Sequence, residues 1–169
     1  LRTRPELPDA IPIAHTFYKD SWGFSASAAQ ARQLTEPEYD VVVRTRLFDG
    51  CLRIGESVLR GETDEEILLD SYVCHPFLAN DNQSGIVVAV ELFRMLARLP
   101  SRRYTYRLLL GPETIGPNVY LSQHPEVRER IVGGYTFVCV GDSSSFHYRS
   151  SYGGHSPTDR ALRPALPGS

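Results

Sequence analysis

Apolar and polar residues follow strand and helix periods most clearly in the second half of the chain. EEILLDSYV is a short apolar run with polar flanks, which predicts a buried strand over 67–73. SGIVVAVELFRMLARL repeats apolar residues at helical spacing and ends before Pro100, which predicts a long helix. RRYTYRLLLG and GGYTFVCVGD predict strands over 104–110 and 134–140. The alternation of strands and helices predicts an α/β fold with a mostly parallel sheet and helices on both faces.

Local signals mark shorter helices around this core. SASAAQARQL predicts a short helix capped by Ser25 or Ser27. SPTDRAL predicts a helix that starts at Ser156 with Pro157 in its first position. TIGPNVYLSQHPEVRER reads as a loop with one or two short helices.

A β-hairpin is predicted ahead of the core. The β-rich runs VVVRTRL and CLRIGESVL flank Asp49-Gly50, a strong hairpin signal. We therefore expect a lead-in segment with a short helix over 1–36, a hairpin insertion over 37–62 and an α/β core over 63–169. These parts fall within the size of one domain.

Composition narrows the function classes. Of the 169 residues, 41% are hydrophobic and 22% charged, as in globular proteins, and the net charge of −2 gives no basic footprint for nucleic acid. Cys51, Cys74 and Cys139 form no CxxC pair, which favours a reducing cytoplasmic location over a disulfide framework. No apolar run approaches the ~18 residues of a membrane span.

The chain ends suggest a fragment. The first residues, LRTRPELPDA, are charged and Pro-rich and do not resemble a secretory signal. The chain begins at Leu1, and its only methionine is Met95. We expect truncation at both ends, so that a site can lack some of its ligands.

Polar residues gather where the predicted strands end. CHPFLANDN, GPETIG and GDSSSFHY follow the three core strands and carry His75, Asp81, Glu113 and Asp142. Ligands of such sheets bind beyond the carboxyl ends of the strands, so these side chains are expected to converge. A neutral histidine with carboxylates is a ligand set for zinc, and a carboxylate that binds no metal can serve as general base. The sequence alone therefore indicates metal-assisted hydrolysis.

Each of these residues also has a simpler interpretation. Asp81 suits the N-terminal turn of a helix with Asn80 as its N-cap, and the sequence alone does not choose between this and a metal role. His75 and Glu113 suit solvated loop positions, and Asp142 suits the cap of a turn. A thiol nucleophile at Cys74 is disfavoured, because its neighbour His75 would point to the opposite face of a strand.

The segment HPFLANDNQSGIVVAVELFRML resembles the start of zinc aminopeptidases in metallopeptidase family twenty-eight. More closely, the chain resembles a group of aminopeptidase-like proteins long catalogued as a domain of unknown function. The matching blocks are DAIPIAHTFYKDSWGFSAS, DGCLRIGESVLRGETDEEILLDSYVCHPFLANDNQSG, GPETIGPNVYLSQ and VGDSSSFHYRSSYGGHSPTDRAL. The resemblance implies a three-layer zinc-exopeptidase-like fold of the phosphorylase/hydrolase-like kind.

The resemblance also implies roles for single residues. His75 matches the first zinc ligand, Asp81 the carboxylate that bridges two metals, and Asp142 the later strand-end carboxylate. Glu113 matches the general base, while Thr114 stands where a carboxylate ligand of the second metal is found. One zinc site is therefore expected to be complete, and the second to lack this carboxylate and a distal histidine.

The expected function is a metal-dependent hydrolase resembling an aminopeptidase, acting on a peptide or small amide. No nucleic acid and no membrane are expected as partners, and a homo-oligomer remains open. Two alternatives stay open as well. One is a catalytically degenerate binding or scaffold domain, and the other is an amide or ester hydrolase in a biosynthetic pathway.

Overall fold

A computed structural model describes residues 1–13, 21–46, 48–74 and 79–166 of the chain. These residues belong to two compact units, Leu1–Phe48 and Asp49–Ser169. The predicted boundaries at residues 36 and 62, within one domain, stay a prediction.

The first unit is tied together by its N-terminal segment and one short helix. Arg2 bridges to Ser25 in parallel. Helix α1, Ala28–Ala31, is capped by Ser27, whose hydroxyl accepts from the Gln30 backbone N–H while the Gln30 side chain bonds back to Ser27. This reciprocal cap satisfies two backbone donors and confirms Ser27 as the predicted cap.

The second unit is built on a mixed four-stranded sheet. Its strands are β1 Gly55–Leu59, β2 Glu66–Tyr72, β3 Thr105–Gly111 and β4 Ile131–Thr136. They lie in the order β1-β3-β2-β4, with β2 parallel to both β3 and β4 and β1 antiparallel to β3. The predicted α/β class and mostly parallel sheet are confirmed.

Helices cover both faces of this sheet. They are α2 Gln83–Ala97, α3 Ile115–Gln123, α4 Pro125–Arg130 and α5 Pro157–Leu162. On one face, Leu69 and Leu108 pack with Phe93 of α2. On the other, Leu109 packs with Tyr120 of α3, as the two-residue period of a strand requires. Within the described residues, no helix is long and apolar enough to cross a membrane.

The predicted hairpin around Asp49-Gly50 is wrong among the described residues. Residues 41–46 and 48–54 form no strand, and only the end of the second run becomes β1. β1 pairs with β3, from Gly55 opposite Leu110 to Leu59 opposite Tyr106. It thereby covers the edge of a buried strand, which would otherwise leave backbone groups unpaired.

A buried ion cluster joins the sheet to the helices on its α3 face. Glu66 is fully buried and accepts from Arg107 Nε at 2.6 Å and from Arg130 Nε at 2.8 Å. Arg107 also donates to the Tyr120 hydroxyl at 3.1 Å and pairs with Glu56. Because each carboxylate has a cationic partner, the buried charges are compensated.

Candidate functional site

The segments that follow β2 and β3 meet at the carboxyl edge of the sheet. Tyr72, the last residue of β2, donates from its hydroxyl to Asp81 Oδ1 at 2.5 Å. Two residues further along, Cys74 Sγ accepts from the backbone N–H of Glu113 at 3.0 Å. These two contacts hold Asp81 and Glu113 beside the same strand end.

Asn82 joins the start of α2 to the segment that follows β4. Its side chain is fully buried and donates to Ser71 Oγ at 2.9 Å and to the Phe137 carbonyl at 3.0 Å. Its Oδ1 accepts from the backbone N–H of Cys139 at 2.9 Å. One amide group thus links β2, the helix start and the β4 exit.

Asn80 and Ser84 make further bonds to the same segment. Asn80 Oδ1 accepts from the backbone N–H of Gly141 at 2.7 Å, and its Nδ2 donates to Asp142 Oδ2 at 3.1 Å. Ser84 Oγ accepts from the backbone N–H of Val140 at 3.0 Å. We call Asn80, Asn82 and Ser84 the asparagine latch.

The latch corrects two expectations. The predicted N-cap Asn80 does not cap α2, whose N-cap residue is Asn82, and Asp81 lies before the helix across a cis peptide bond. The strand predicted over 134–140 ends at Thr136. The backbone N–H of Phe137 still bonds to the Asp70 carbonyl of β2, whereas the N–H groups of Cys139 and Val140 bond to latch side chains instead of to a neighbouring strand.

Gly85 is required for the close approach of α2 to this segment. A Cβ atom at Gly85 would lie 2.3 Å from the Phe137 carbonyl oxygen and 2.6 Å from Asn82 Oδ1. Neither atom can move without breaking the latch. The sequence NDNQSG therefore serves to pack the start of α2 against the segment that follows β4, apart from any role of its residues in a site.

Negative charge gathers around Tyr72. Burial raises the pKa of the Tyr72 hydroxyl well above its ordinary value, and its hydrogen bond to Asp81 raises that pKa further. The charges of Asp81 and Glu113 act in the same direction. The pKa of the Cys139 thiol is also raised, first by burial and then by the charge of Asp81, with a smaller effect of Asp142. Asp81, Glu113 and Asp142 thus act on one small region.

Asp142 is held as a carboxylate by its own turn. The Ser144 hydroxyl and the Ser144 backbone N–H, the latter at 2.8 Å, donate to Asp142 Oδ1 and lower the pKa of Asp142. Asn80 donates to the other oxygen. The turn-cap interpretation of Asp142 therefore holds for one of its oxygens, while the other faces the latch.

A cavity of about 250 Å³ opens beside Tyr72. It is lined by Asp70, Tyr72, Glu113, Thr114, Pro117, Thr136 and Val138. Burial raises the pKa of Asp70, an effect partly offset by a hydrogen bond from the Thr136 hydroxyl at 3.3 Å. The cavity lining thus combines apolar side chains with two carboxylates.

Three of the four predicted site residues lie in segments at one edge of the sheet. Asp81, Glu113 and Asp142 lie at the carboxyl edge of the sheet and are exposed. His75 falls outside the described residues, so its metal role stays a prediction. Within the described ranges, no group of three His, Cys, Asp or Glu side chains is close enough to form a metal centre.

The donor chemistry of the described residues still suits a metal ion. Asp81 and Asp142 are each oriented by hydrogen bonds, Asp81 from Tyr72 and Asp142 from Ser144, as ligating carboxylates usually are. Thr114, which lines the cavity, offers a hydroxyl where a second zinc ion would take a carboxylate, His or Cys.

Sequence reasoning missed Tyr72 and Asp70. Both lie on the α3 face of β2, in step with Leu68 at the two-residue period. The signal was present in this alternation, because a polar residue in step with buried positions near a strand end is a candidate for a site.

Comparison with known proteins agrees with the fold. A family model described as "Domain of unknown function (DUF4910)" matches residues 7–168. A Clostridium acetobutylicum protein described as "Putative polysaccharide biosynthesis protein with aminopeptidase-like domain" is 37% identical over 166 residues, covering 98% of this chain and 38% of that protein. A crystal structure from the same species, described as a "putative peptidase", superimposes with a TM-score of 0.83 at 37% identity, covering 95% of this chain and 38% of the other.

These matches confirm the aminopeptidase-like resemblance, whereas the finer assignment to metallopeptidase family twenty-eight stays a prediction. The chain spans about 38% of the length of the relatives it matches. It has the α/β fold of the structure described as a "putative peptidase". By the match over 7–168, the chain belongs to the family described as "Domain of unknown function (DUF4910)".

Proposed function

We propose that this chain carries the site of a zinc-dependent amide hydrolase that resembles an aminopeptidase. The observation that supports this most is the electrostatic environment of Tyr72. Its hydroxyl donates a hydrogen bond to Asp81, and the negative charge of Glu113 helps to raise its pKa. Tyr72 and Glu113 both line the cavity. Carboxylates in two roles therefore lie beside one space that a small substrate can enter.

His75, Asp81 and Asp142 are the proposed ligands of a single zinc ion. Neutral imidazole and carboxylate oxygen are its ordinary donors. When bound, zinc would polarise the scissile carbonyl and lower the pKa of a bound water. Tyr72 and Asn80 would keep the two carboxylates oriented, since each donates to one of them.

Glu113 is the proposed general base. Its carboxylate is exposed and lines the cavity, while its backbone N–H is fixed by Cys74. A Glu113 carboxylate oxygen would take the proton of the attacking water as the carbon–oxygen bond forms. It would pass that proton to the leaving nitrogen as the carbon–nitrogen bond breaks.

Glu113→Gln tests this role. The variant should keep bound zinc and lose at least about a hundredfold in hydrolysis of aminoacyl anilides, because the amide cannot accept the proton. Glu129→Gln, an exposed change on α4, is the matched control and should keep full activity. Equal activity of Glu113→Gln and wild-type protein would contradict the assignment.

A second candidate is an amide or ester hydrolase of a biosynthetic pathway. It is favoured by the C. acetobutylicum relative, which is described as a polysaccharide biosynthesis protein with an aminopeptidase-like domain. The same residues would act on an amide or ester borne by a sugar. Zinc-loaded protein that cleaves N-acylated amino sugars and leaves aminoacyl anilides intact would select this candidate.

A further inference from the structure

Residues 38–46 form an exposed segment with the composition of a β-strand. Tyr39, Val41, Val42 and Val43 leave 49%, 50%, 80% and 58% of their surfaces exposed. β-branched and aromatic residues favour strands, yet within the described residues this segment has no helix, turn or strand partner. A run of exposed apolar residues of this kind is typical of an interaction surface.

The charges of this segment divide about its centre. Glu38 and Asp40 precede Val42, and Arg44 and Arg46 follow it at matching distances. Within the described part of the chain, none of these four side chains forms a salt bridge. If a second copy of the segment runs in the opposite direction, its basic residues therefore lie opposite the acidic residues of the first copy.

We propose that residues 38–46 pair with the same segment of a second copy of the chain, as antiparallel strands about a two-fold axis through Val42. Asp40 then faces Arg44 of the other copy, and Glu38 faces Arg46. Symmetry repeats both pairs on the other side of the axis. Opposite charges directly across an antiparallel pair stabilise it, and a contact made by the same patch of both copies closes at the dimer.

This register also separates polar from apolar side chains. The charged residues share one face of the paired strands with Val42, because side chains alternate along a strand. Tyr39, Val41, Val43 and Thr45 lie on the other face, where Val41 opposes Val43. The pair therefore has one ion-paired face and one mainly apolar face.

Other pairings lose the charge match. Parallel pairing in register places each charged residue beside the same residue of the other copy, and like charges repel. A shift by one residue moves Asp40 opposite Val43 or Thr45. A shift by two residues moves Asp40 opposite Val42 or Arg46 and breaks at least one pair. The antiparallel register centred on Val42 matches all four charges.

Charge reversal with sedimentation velocity tests the proposal directly. Wild-type protein, 18.9 kDa as a monomer, should show a concentration-dependent dimer. Asp40→Arg and Arg44→Asp should each weaken that dimer at least about tenfold, because like charges then face each other. An equimolar mixture of the two variants should recover it, since every facing pair is opposite again.

Asp9→Arg makes the same change at an exposed position of the same unit and should leave the dimer intact. Circular dichroism of each variant checks that it is folded. A wild-type protein that stays monomeric at every concentration, or that forms open higher oligomers, would overturn the proposal. So would variants whose mixture does not recover the dimer.

Discussion

Tyr72 combines two tasks in one side chain. Its hydroxyl bonds to Asp81 at 2.5 Å, and the residue lines the cavity that Glu113 also lines. A hydrogen bond to a ligating carboxylate fixes its orientation and raises metal affinity. The residue therefore connects the proposed zinc ligand with the proposed base.

Tyr72→Phe should lower zinc affinity by about tenfold or more while the protein remains folded. The phenyl ring keeps the packing, and only the donor to Asp81 is lost. Competition with a chromogenic chelator measures the affinity. Tyr106→Phe, which removes a hydroxyl on the α2 face of the sheet, should leave the affinity unchanged. Equal affinities of Tyr72→Phe and wild-type protein would remove this role.

Asp159 anchors the long segment after Asp142. Its buried carboxylate accepts from Ser151 Oγ at 2.5 Å, from the Tyr148 hydroxyl at 2.5 Å and from the Ser156 backbone N–H at 2.6 Å. The hydroxyl bonds from Ser151 and then Tyr148 lower the pKa of Asp159 far below its ordinary value. The bond from the Ser156 backbone N–H is also one half of the reciprocal cap of α5, whose start at Ser156 was predicted, and the Asp159 backbone N–H donates to Ser156 Oγ in return.

Asp159 should make the stability of the protein depend on pH. Since folding lowers its pKa, its contribution is complete above the unfolded value of about 4 and is lost as pH falls below it. Asp159→Asn should therefore be much less stable than wild-type protein at neutral pH, with a difference that shrinks in acid. Urea unfolding across this pH range measures it, with Asp9→Asn as an exposed control. A difference independent of pH would contradict the assignment.

At the scale of elements, the asparagine latch decides where β4 ends and α2 begins. It supplies acceptors for the backbone N–H groups of Cys139, Val140 and Gly141. Those groups lie 55 or more residues from the latch in sequence, so the joint is a long-range contact. It also carries Asp142 to the neighbourhood of Asp81.

Asn82→Ala should destabilise the protein by about 2 kcal/mol or more, because it breaks three hydrogen bonds of a fully buried amide to its partners. Those partners are Ser71 Oγ, the Phe137 carbonyl and the Cys139 N–H. Urea unfolding gives the free energy. Gln83→Ala, at the exposed next position, should change stability by no more than about 0.5 kcal/mol. Similar values for the two variants would show that the latch is not structural.

The sequence predicted the elements whose signals are local. β2, β3 and α2 follow from apolar periodicity, and the starts of α1 and α5 follow from Ser27 and Ser156 as caps. β4 was misplaced because side chains from α2 and the loop before it take over its last donors. The hairpin was wrong because β1 covers β3 instead of pairing with residues 41–46.

The candidate site was predictable in part, from the order of strands along the chain. Topology alone places Asp81, Glu113 and Asp142 at one sheet edge, because parallel strands end together. The orienting contacts of Tyr72 and Asn80 depend on side-chain directions that no local pattern specifies. Glu66 was also hidden, since periodicity treats a charged residue as a surface position although Glu66 is fully buried.

At the scale of the whole molecule, the buried ion cluster and the proposed metal site lie at opposite ends of β2. The buried cluster around Glu66 lies at the start of β2, and the carboxylates around Tyr72 lie at its end. The chain spans about 38% of the length of its relatives. The metal chemistry proposed here belongs to the edge itself.

Zinc content after loading and exhaustive dialysis tests the central claim most directly. We expect about one zinc ion per chain, held by His75, Asp81 and Asp142. Asp81→Asn should lose most of it, whereas Asp64→Asn, at an exposed position ahead of β2, should retain it. A wild-type protein that retains no zinc, or an Asp81→Asn variant that retains as much as the wild type, would contradict the account.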